Sequence, residues 1–124
     1  MIIHVDTSAL VDALTGPRRS LETLISLTDQ GHRLAISTIV LYEWLRGPRS
    51  RADLAAQEAL FPSESAFGFG PAEAAIAARI YKHVGRPRGR EVDLAVAACA
   101  LAGGAAIWTL NPTDFRDVPD LRIV

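Results

Sequence analysis

Apolar residues along the chain alternate between short unbroken runs and helical spacings, and the switches between the two lay out a fold. Ile2-Ile3-His4-Val5 is a mostly apolar run that ends on the carboxylate of Asp6. Thr7 and Ser8, both favourable helix N-caps, follow at once, and Ala9 to Leu14 reads as the helix they start. No hairpin signal follows the run, which predicts a central strand of a parallel sheet. Leu21, Leu24 and Ile25 fall at helical spacing within Ser20 to Leu27, and Gly31 stands where a C-terminal cap glycine belongs. Arg33 to Ser37 predicts a second strand. Thr38 then caps a helix over Ile39 to Arg46 that stops at Gly47-Pro48. Ala52 to Leu60 is helical by composition and ends at Pro62, and Ala66 to Phe69 is a strand candidate. Pro71 suits the first turn of a helix running to His83. Val92 to Ala102 predicts another helix, ended by Gly103-Gly104. Ala105 to Thr109 predicts a strand, followed by a turn at Asn111-Pro112 and a last short strand at Leu121 to Val124. Strands alternating with helices predict one α/β domain over residues 1–124, a central parallel sheet flanked by helices. Ligands of such sheets sit beyond the carboxyl ends of the strands. Asp6 stands at that spot.

Composition narrows the classes. At 124 residues the chain is one ordinary domain, and 49% hydrophobic with 22% charged residues excludes global disorder. One cysteine excludes a disulfide framework, and His4, His32 and His83 are too scattered for a zinc site. Cys99, in an Ala-rich helix, reads as a small core residue. A strand begins at Ile2 where a signal peptide would lie, and no apolar run approaches the ~18 residues of a membrane span. A cytoplasmic protein is the expectation.

The net charge of −1 conceals an uneven distribution. Arg46, Arg49 and Arg51 form one basic cluster, and Arg79, Lys82, Arg86, Arg88 and Arg90 form another around His83. For either cluster alone a solvated face is the favoured reading; the sharper one is a surface that follows a phosphate backbone.

Four carboxylates carry the candidate chemistry. Glu43 lies within the apolar stretch Val40 to Leu45; an i,i+3 pair with Arg46 explains it at ~0.2–0.5 kcal/mol, but a helix this apolar is expected to be buried on most sides. A buried carboxylate needs a strong partner. Asp93 could simply favour its helix dipole, a gain of ~0.3–1 kcal/mol. From Leu94 to Ala102, however, no charged residue follows. That helix is expected to be internal, carrying Asp93 inward at its entry end. Asp114, just past the Ala105 to Thr109 strand, would alone be an ordinary turn aspartate. Together with Asp6 these residues place four acids, from four separated segments, near one end of one sheet. Like charges so gathered raise one another's pKa and oppose folding unless a cation neutralises them. Oxygen-only ligands suit a hard ion such as Mg²⁺ or Mn²⁺, and such ions activate water and stabilise phosphoryl displacement in many nucleases. Outside the four acids, thirteen basic residues face ten acidic ones, a formal +3. An acidic pocket inside a mildly basic shell suits a nucleic-acid phosphate bridged by metal.

These segments resemble the acidic motifs of PIN domains. Ile3 to Leu10, Ser37 to Gly47 and Asp93 to Ala100 resemble the first three. Gly103-Gly104 with Ile107 to Phe115 resembles the fourth. The resemblance spans essentially the whole chain, in order, and is greatest to the VapC-type toxins of bacterial toxin–antitoxin pairs. It implies a Mg²⁺- or Mn²⁺-dependent endoribonuclease, often a homodimer, that cuts RNA and is inhibited by a cognate antitoxin. Carried over by motif position, it gives the metal-site and catalytic role to Asp6, Glu43, Asp93 and Asp114, with Thr7, Ser8, Thr109 and Asn111 as supporting polar positions. Arg46, Arg86, Arg88 and Arg90 are the candidate nucleic-acid contacts. Trp108 and Leu110 depart from the family pattern without touching the acids.

Other enzymes with a strand-end Asp fit less well. A haloacid-dehalogenase-type phosphatase wants a second Asp two residues on, where Ser8 stands. A response-regulator receiver wants paired acids upstream of its phosphorylated Asp and a late strand-end lysine, and the sole lysine is Lys82, in a helix. The alternative of another class is a catalytically weak PIN module that binds RNA or protein without cutting.

Overall fold

Three parallel strands form the sheet in this computed structural model, which describes all of residues 1–124. β1 (Ile2–Val5) lies in the middle, between β2 (Arg33–Ala35) and β3 (Ala106–Trp108). Ile3 pairs with Leu34 on one side and with Ala106 on the other. Burial on both sides explains why the run carries no polar alternation: Ile3 and Val5 are fully buried, and His4 is 1% exposed.

Six helices surround the sheet: α1 (Thr7–Leu14), α2 (Leu21–Asp29), α3 (Thr38–Arg46), α4 (Arg51–Leu60), α5 (Pro71–His83) and α6 (Glu91–Ala102). α6 is the innermost. Leu94 and Val96 through Ala100 are buried, and its small residues let α5 pack closely along it. α3 buries Val40 and Trp44, one turn apart, and turns Tyr42 and Leu45 to solvent. The expectation of burial on most sides therefore fails for α3. Trp44 anchors it, at a cost of ~3–5 kcal/mol if cut to alanine. The Arg49 guanidinium stacks 4.3 Å from the Trp44 ring, and its Nε donates to the Trp44 carbonyl at 2.9 Å. Gly47 leaves room for that stack, since a Cβ there would stand 2.6 Å from Arg49 Nη2.

Several boundaries differ from the sequence reading. Ser37, not Thr38, caps α3, accepting from the Val40 amide at 3.2 Å, while the Thr38 hydroxyl accepts from the Phe69 amide. The Ala66 to Phe69 candidate contributes one bridge, Ser37 to Phe67, before Gly68 breaks it. The last expected strand shrinks likewise to a bridge between Ile107 and Ile123, because the chain turns at Pro119 and at Asp120, whose φ is +64°. Gly31, with φ +91°, takes the left-handed position after α2 that only a glycine fills without strain. No helix is long and apolar enough to cross a membrane.

Candidate active site

Asp6 follows the last residue of β1, and its position comes from the sheet itself. Its amide donates to the Trp108 carbonyl at 2.9 Å, and its carbonyl accepts from Leu10 as the first bond of α1. The residue is the N-cap of α1, yet its carboxylate makes no capping bond. Thr7 and Ser8, expected as caps, are inside the helix, and their hydroxyls turn to the acids instead. Asp6 Oδ2 accepts from Thr109 Oγ1 at 2.7 Å and from Ser8 Oγ at 3.1 Å. Backbone amides hold both hydroxyls in turn: Leu110 donates to Ser8 Oγ and Asn111 to Thr109 Oγ1, each at 3.0 Å. Asn111 thus contributes to this network through its main chain. Asp6 is 6% exposed, a degree of burial an ionised carboxylate tolerates when hydrogen bonds replace water.

Glu43 flanks the buried Val40–Trp44 stripe of α3. Its Oε1 accepts from Thr7 Oγ1 at 2.6 Å, and Arg46 Nη2 lies 3.4 Å from Oε2. Hydroxyls therefore tie both inner acids to the β1–α1 junction.

The outer acids are held differently. Asp93 is the third residue of α6, whose N-cap is Arg90, so Asp93 does not cap its helix. It is half-buried, and desolvation together with the charges of Asp6, Asp114 and Glu43 pushes its pKa up from 3.8 to about 6; Arg90 opposes the rise. Asp114 ends a short 3-10 turn, Pro112–Asp114, and is exposed. Buried Phe115 and Val118 fix that turn from behind. The structure thus brings Asp6, Glu43 and Asp114 within electrostatic reach of Asp93 beyond the carboxyl end of the sheet.

Oxygen donors alone, with uncompensated negative charge, fit a hard divalent cation. No three His, Cys, Asp or Glu side chains are already gathered as an ion-ready cluster. The site is pre-shaped at its inner half only. It is also an open shelf: the largest cavity, about 320 Å³, lies at the opposite end, lined by Met1, Gly104, Ala105, Asp120 and Arg122 among others. Donor chemistry is the better guide here, because an acidic shelf for a polymer need not be a deep pocket.

The candidate cations divide. Arg86 and Arg88 are exposed. Arg46 is half-exposed and paired with Glu43. Arg90 is tied into a bidentate ion pair with Asp117, at 2.6 and 2.8 Å. Sequence reasoning did not find Asp117, and no local signal marks a partner 27 residues away. Another residue it passed over is His4. Both its ring nitrogens are buried without a partner, and burial lowers its pKa to about 4.

A parallel sheet whose central strand ends on a hydroxyl-held aspartate, with three more acids brought toward it by separate elements, defines an α/β domain with an acidic shelf beyond the carboxyl end of its sheet. The model of the PIN domain matches residues 3–121, and the chain belongs to the PIN-domain family. It is 32% identical to ribonuclease VapC19 of Mycobacterium tuberculosis over 95% of each chain. In architecture it is similar to DNA-bound VapBC from Salmonella typhimurium, with TM-score 0.79 and 22% identity over all of this chain and 97% of that one. VapBC2 from Rickettsia felis, bound to a fragment of its promoter DNA, is similar at TM-score 0.77 and 20% identity, covering 100% and 98% of the two chains. These two likenesses are of fold.

Proposed function

We propose that this PIN domain is a metal-dependent endoribonuclease, the toxin of a type II, VapBC-like toxin–antitoxin pair, acting in the cytoplasm. One observation carries the reading: four carboxylates from four segments face one another's charge beyond one sheet end, where burial, with the charges of Asp6, Asp114 and Glu43 added, pushes Asp93 up to about 6. The relative named as a ribonuclease, alike over nearly its whole length, supports RNA as substrate. The VapBC assemblies of the same fold support an antitoxin as partner. Exposed Tyr42 and Leu45 on α3, beside Glu43, offer apolar surface of the kind a protein partner or a second copy of the chain covers.

Asp6, Glu43, Asp93 and Asp114 are the residues that would hold Mg²⁺ or Mn²⁺. When bound, such an ion lowers the pKa of its water and stabilises the charge that develops on a phosphodiester as one P–O ester bond is replaced. The chain's own contribution is orientation. Thr109 and Ser8 aim Asp6 by occupying Oδ2 and leaving Oδ1 without a side-chain partner, and Thr7 fixes Glu43. Arg86 and Arg88 supply exposed positive charge near the start of α6 for the flanking backbone.

The test is incubation with a mixed RNA pool, with and without Mn²⁺, beside Asp6→Asn. Cleavage that needs both Mn²⁺ and Asp6 is the expected result. RNA retained but uncut by the parent would favour a binding module instead.

A further inference from the structure

Arg90 looks in sequence like one more cation in a basic loop, but both terminal nitrogens of its guanidinium are engaged. Nη1 donates to Asp117 Oδ2 at 2.8 Å and to the Arg86 carbonyl at 3.3 Å; Nη2 donates to Asp117 Oδ1 at 2.6 Å and to the Asp114 carbonyl at 2.9 Å. Its backbone is the N-cap of α6, with its carbonyl accepting from Leu94. One side chain therefore joins the start of the helix that carries Asp93 to the peptide unit of Asp114.

We propose that Arg90 and Asp117 form a clasp that positions the outer carboxylates, Asp93 and Asp114, for the ion, rather than a contact to nucleic acid; this deepens the metal-site reading above and rests on it. A phosphate contact needs a cation free to give up its water for the ligand. Here a bidentate carboxylate, the strongest common partner of a guanidinium, already fills the fork. The inner acids have hydroxyls to aim them. The outer pair has none, and the clasp does that work from the backbone side. Asp117 is 45% and Arg90 21% exposed, so removing the Asp117 carboxylate leaves a guanidinium that still reaches water and keeps its bonds to the Arg86 and Asp114 carbonyls. Arg90 and Asp117 are positioning residues, two steps from the reacting atoms.

The test uses Asp117→Ala, Arg90→Ala and the double variant. Mn²⁺ binding to the RNA-free protein, read by electron paramagnetic resonance, is expected to weaken about 10- to 100-fold in each single variant, the usual loss for residues that orient metal ligands. The double variant is expected to be no worse than the weaker single, because both changes break one clasp. Amide exchange at Asp114 and Phe115 in the metal-free protein is expected to quicken in all three. With RNA, kcat falls while KM and the salt dependence of binding stay near the parent's. A raised KM and flattened salt slope in Arg90→Ala, with tighter RNA binding in Asp117→Ala, would overturn the clasp in favour of a phosphate contact. So would a parent that binds Mn²⁺ with variants that bind it equally well. If the parent binds Mn²⁺ but cuts no RNA, the nuclease reading fails and the clasp is still decided by affinity. If it binds no Mn²⁺, the metal-site reading fails and takes the clasp's service to the ion with it; unchanged exchange in variants of a parent that does bind Mn²⁺ removes the clasp alone.

Discussion

The two halves of the acidic shelf are built by different means. At the inner half, Asp6 and Glu43 are held by side-chain hydroxyls at 2.6 to 3.1 Å, and those around Asp6 are held by backbone amides in turn. At the outer half no hydroxyl reaches either carboxylate: a helix start carries Asp93 and a short turn carries Asp114, and Arg90 links the two through the main chain. The inner half has its geometry in the chain alone, while Asp93, in the outer half, feels the charge of the other three acids, Asp6 foremost. Rigidity is thus concentrated in one pair, and the repulsion falls on a member of the other.

The sharpest break in this comparison is Asp93→Asn. RNA cleavage is expected to fall by orders of magnitude, because an amide is a poor partner for a hard divalent ion. Metal-free melting is expected to hold or rise, since one crowded charge is gone and Asp93 makes no cap to lose. Equal cleavage by variant and parent would remove Asp93 from the site.

Metal itself comes next. Millimolar Mn²⁺ is expected to raise the melting temperature, with ~2.7 kcal/mol of stabilisation at a hundredfold excess over the dissociation constant. Superimposed melting curves in Mn²⁺ and in EDTA would leave the shelf without an ion.

The inner half is tested by Thr109→Val, which deprives both Asp6 Oδ2 and the Asn111 amide of a partner. Chemical denaturation is expected to show a loss of about 1–3 kcal/mol, as for a buried polar group left without its partner. Metal-free stability therefore drops here and holds in Asp93→Asn, and a drop in both would erase the distinction.

Acid titration sharpens the contrast further. Asp93, raised from 3.8 to about 6, makes the folded chain bind more protons than the unfolded one between those values, so its share of stability falls as pH rises through them. His4, held down from 6.5 to about 4 by burial, does the reverse over nearly the same window, and its share is lost as pH falls. The two oppose each other in the parent. In Asp93→Asn only His4 remains, so the metal-free melting temperature of the variant relative to the parent is expected to climb as pH goes from 4 to 6. Parallel profiles would mean that Asp93 titrates normally.

The smallest effect concerns the exposed cations. Arg86→Ala with Arg88→Ala is expected to flatten the salt dependence of RNA binding by ~0.7 for each lost single-strand contact. Arg90→Ala is expected to leave the slope alone.

What could be read from sequence follows from where the information lies. Asp6, Asp93 and Asp114 stood out because each sits beside a local boundary, a strand end, a helix entry and a turn; Glu43, in mid-helix, was singled out by a burial that α3 does not have. The central place of β1 was legible from one mostly apolar run with no hairpin signal after it. The choice of Ser37 over Thr38 as cap was not, because adjacent hydroxyls are equivalent until the bridge from Ser37 to Phe67 turns one inward. The exposure of Tyr42 and Leu45 was hidden for another reason. Apolar residues predict burial only if something covers them, and in the isolated chain nothing covers that face of α3. Arg90 and Asp117 are joined by folding alone.

The sheet also governs how this chain keeps company with other chains. A bare strand edge is a template for a stranger's strand, and proteins guard such edges. β2 and β3 are each three residues long, which leaves little to copy. On the β3 side even that little is taken: the Ile107 amide donates to the Arg122 carbonyl and its own carbonyl accepts from Val124, each at 2.9 Å. Residues 122–124 act as a hem along the margin of the sheet. A molecule nicked near Leu121 would lose it and present Ile107 raw to its neighbours.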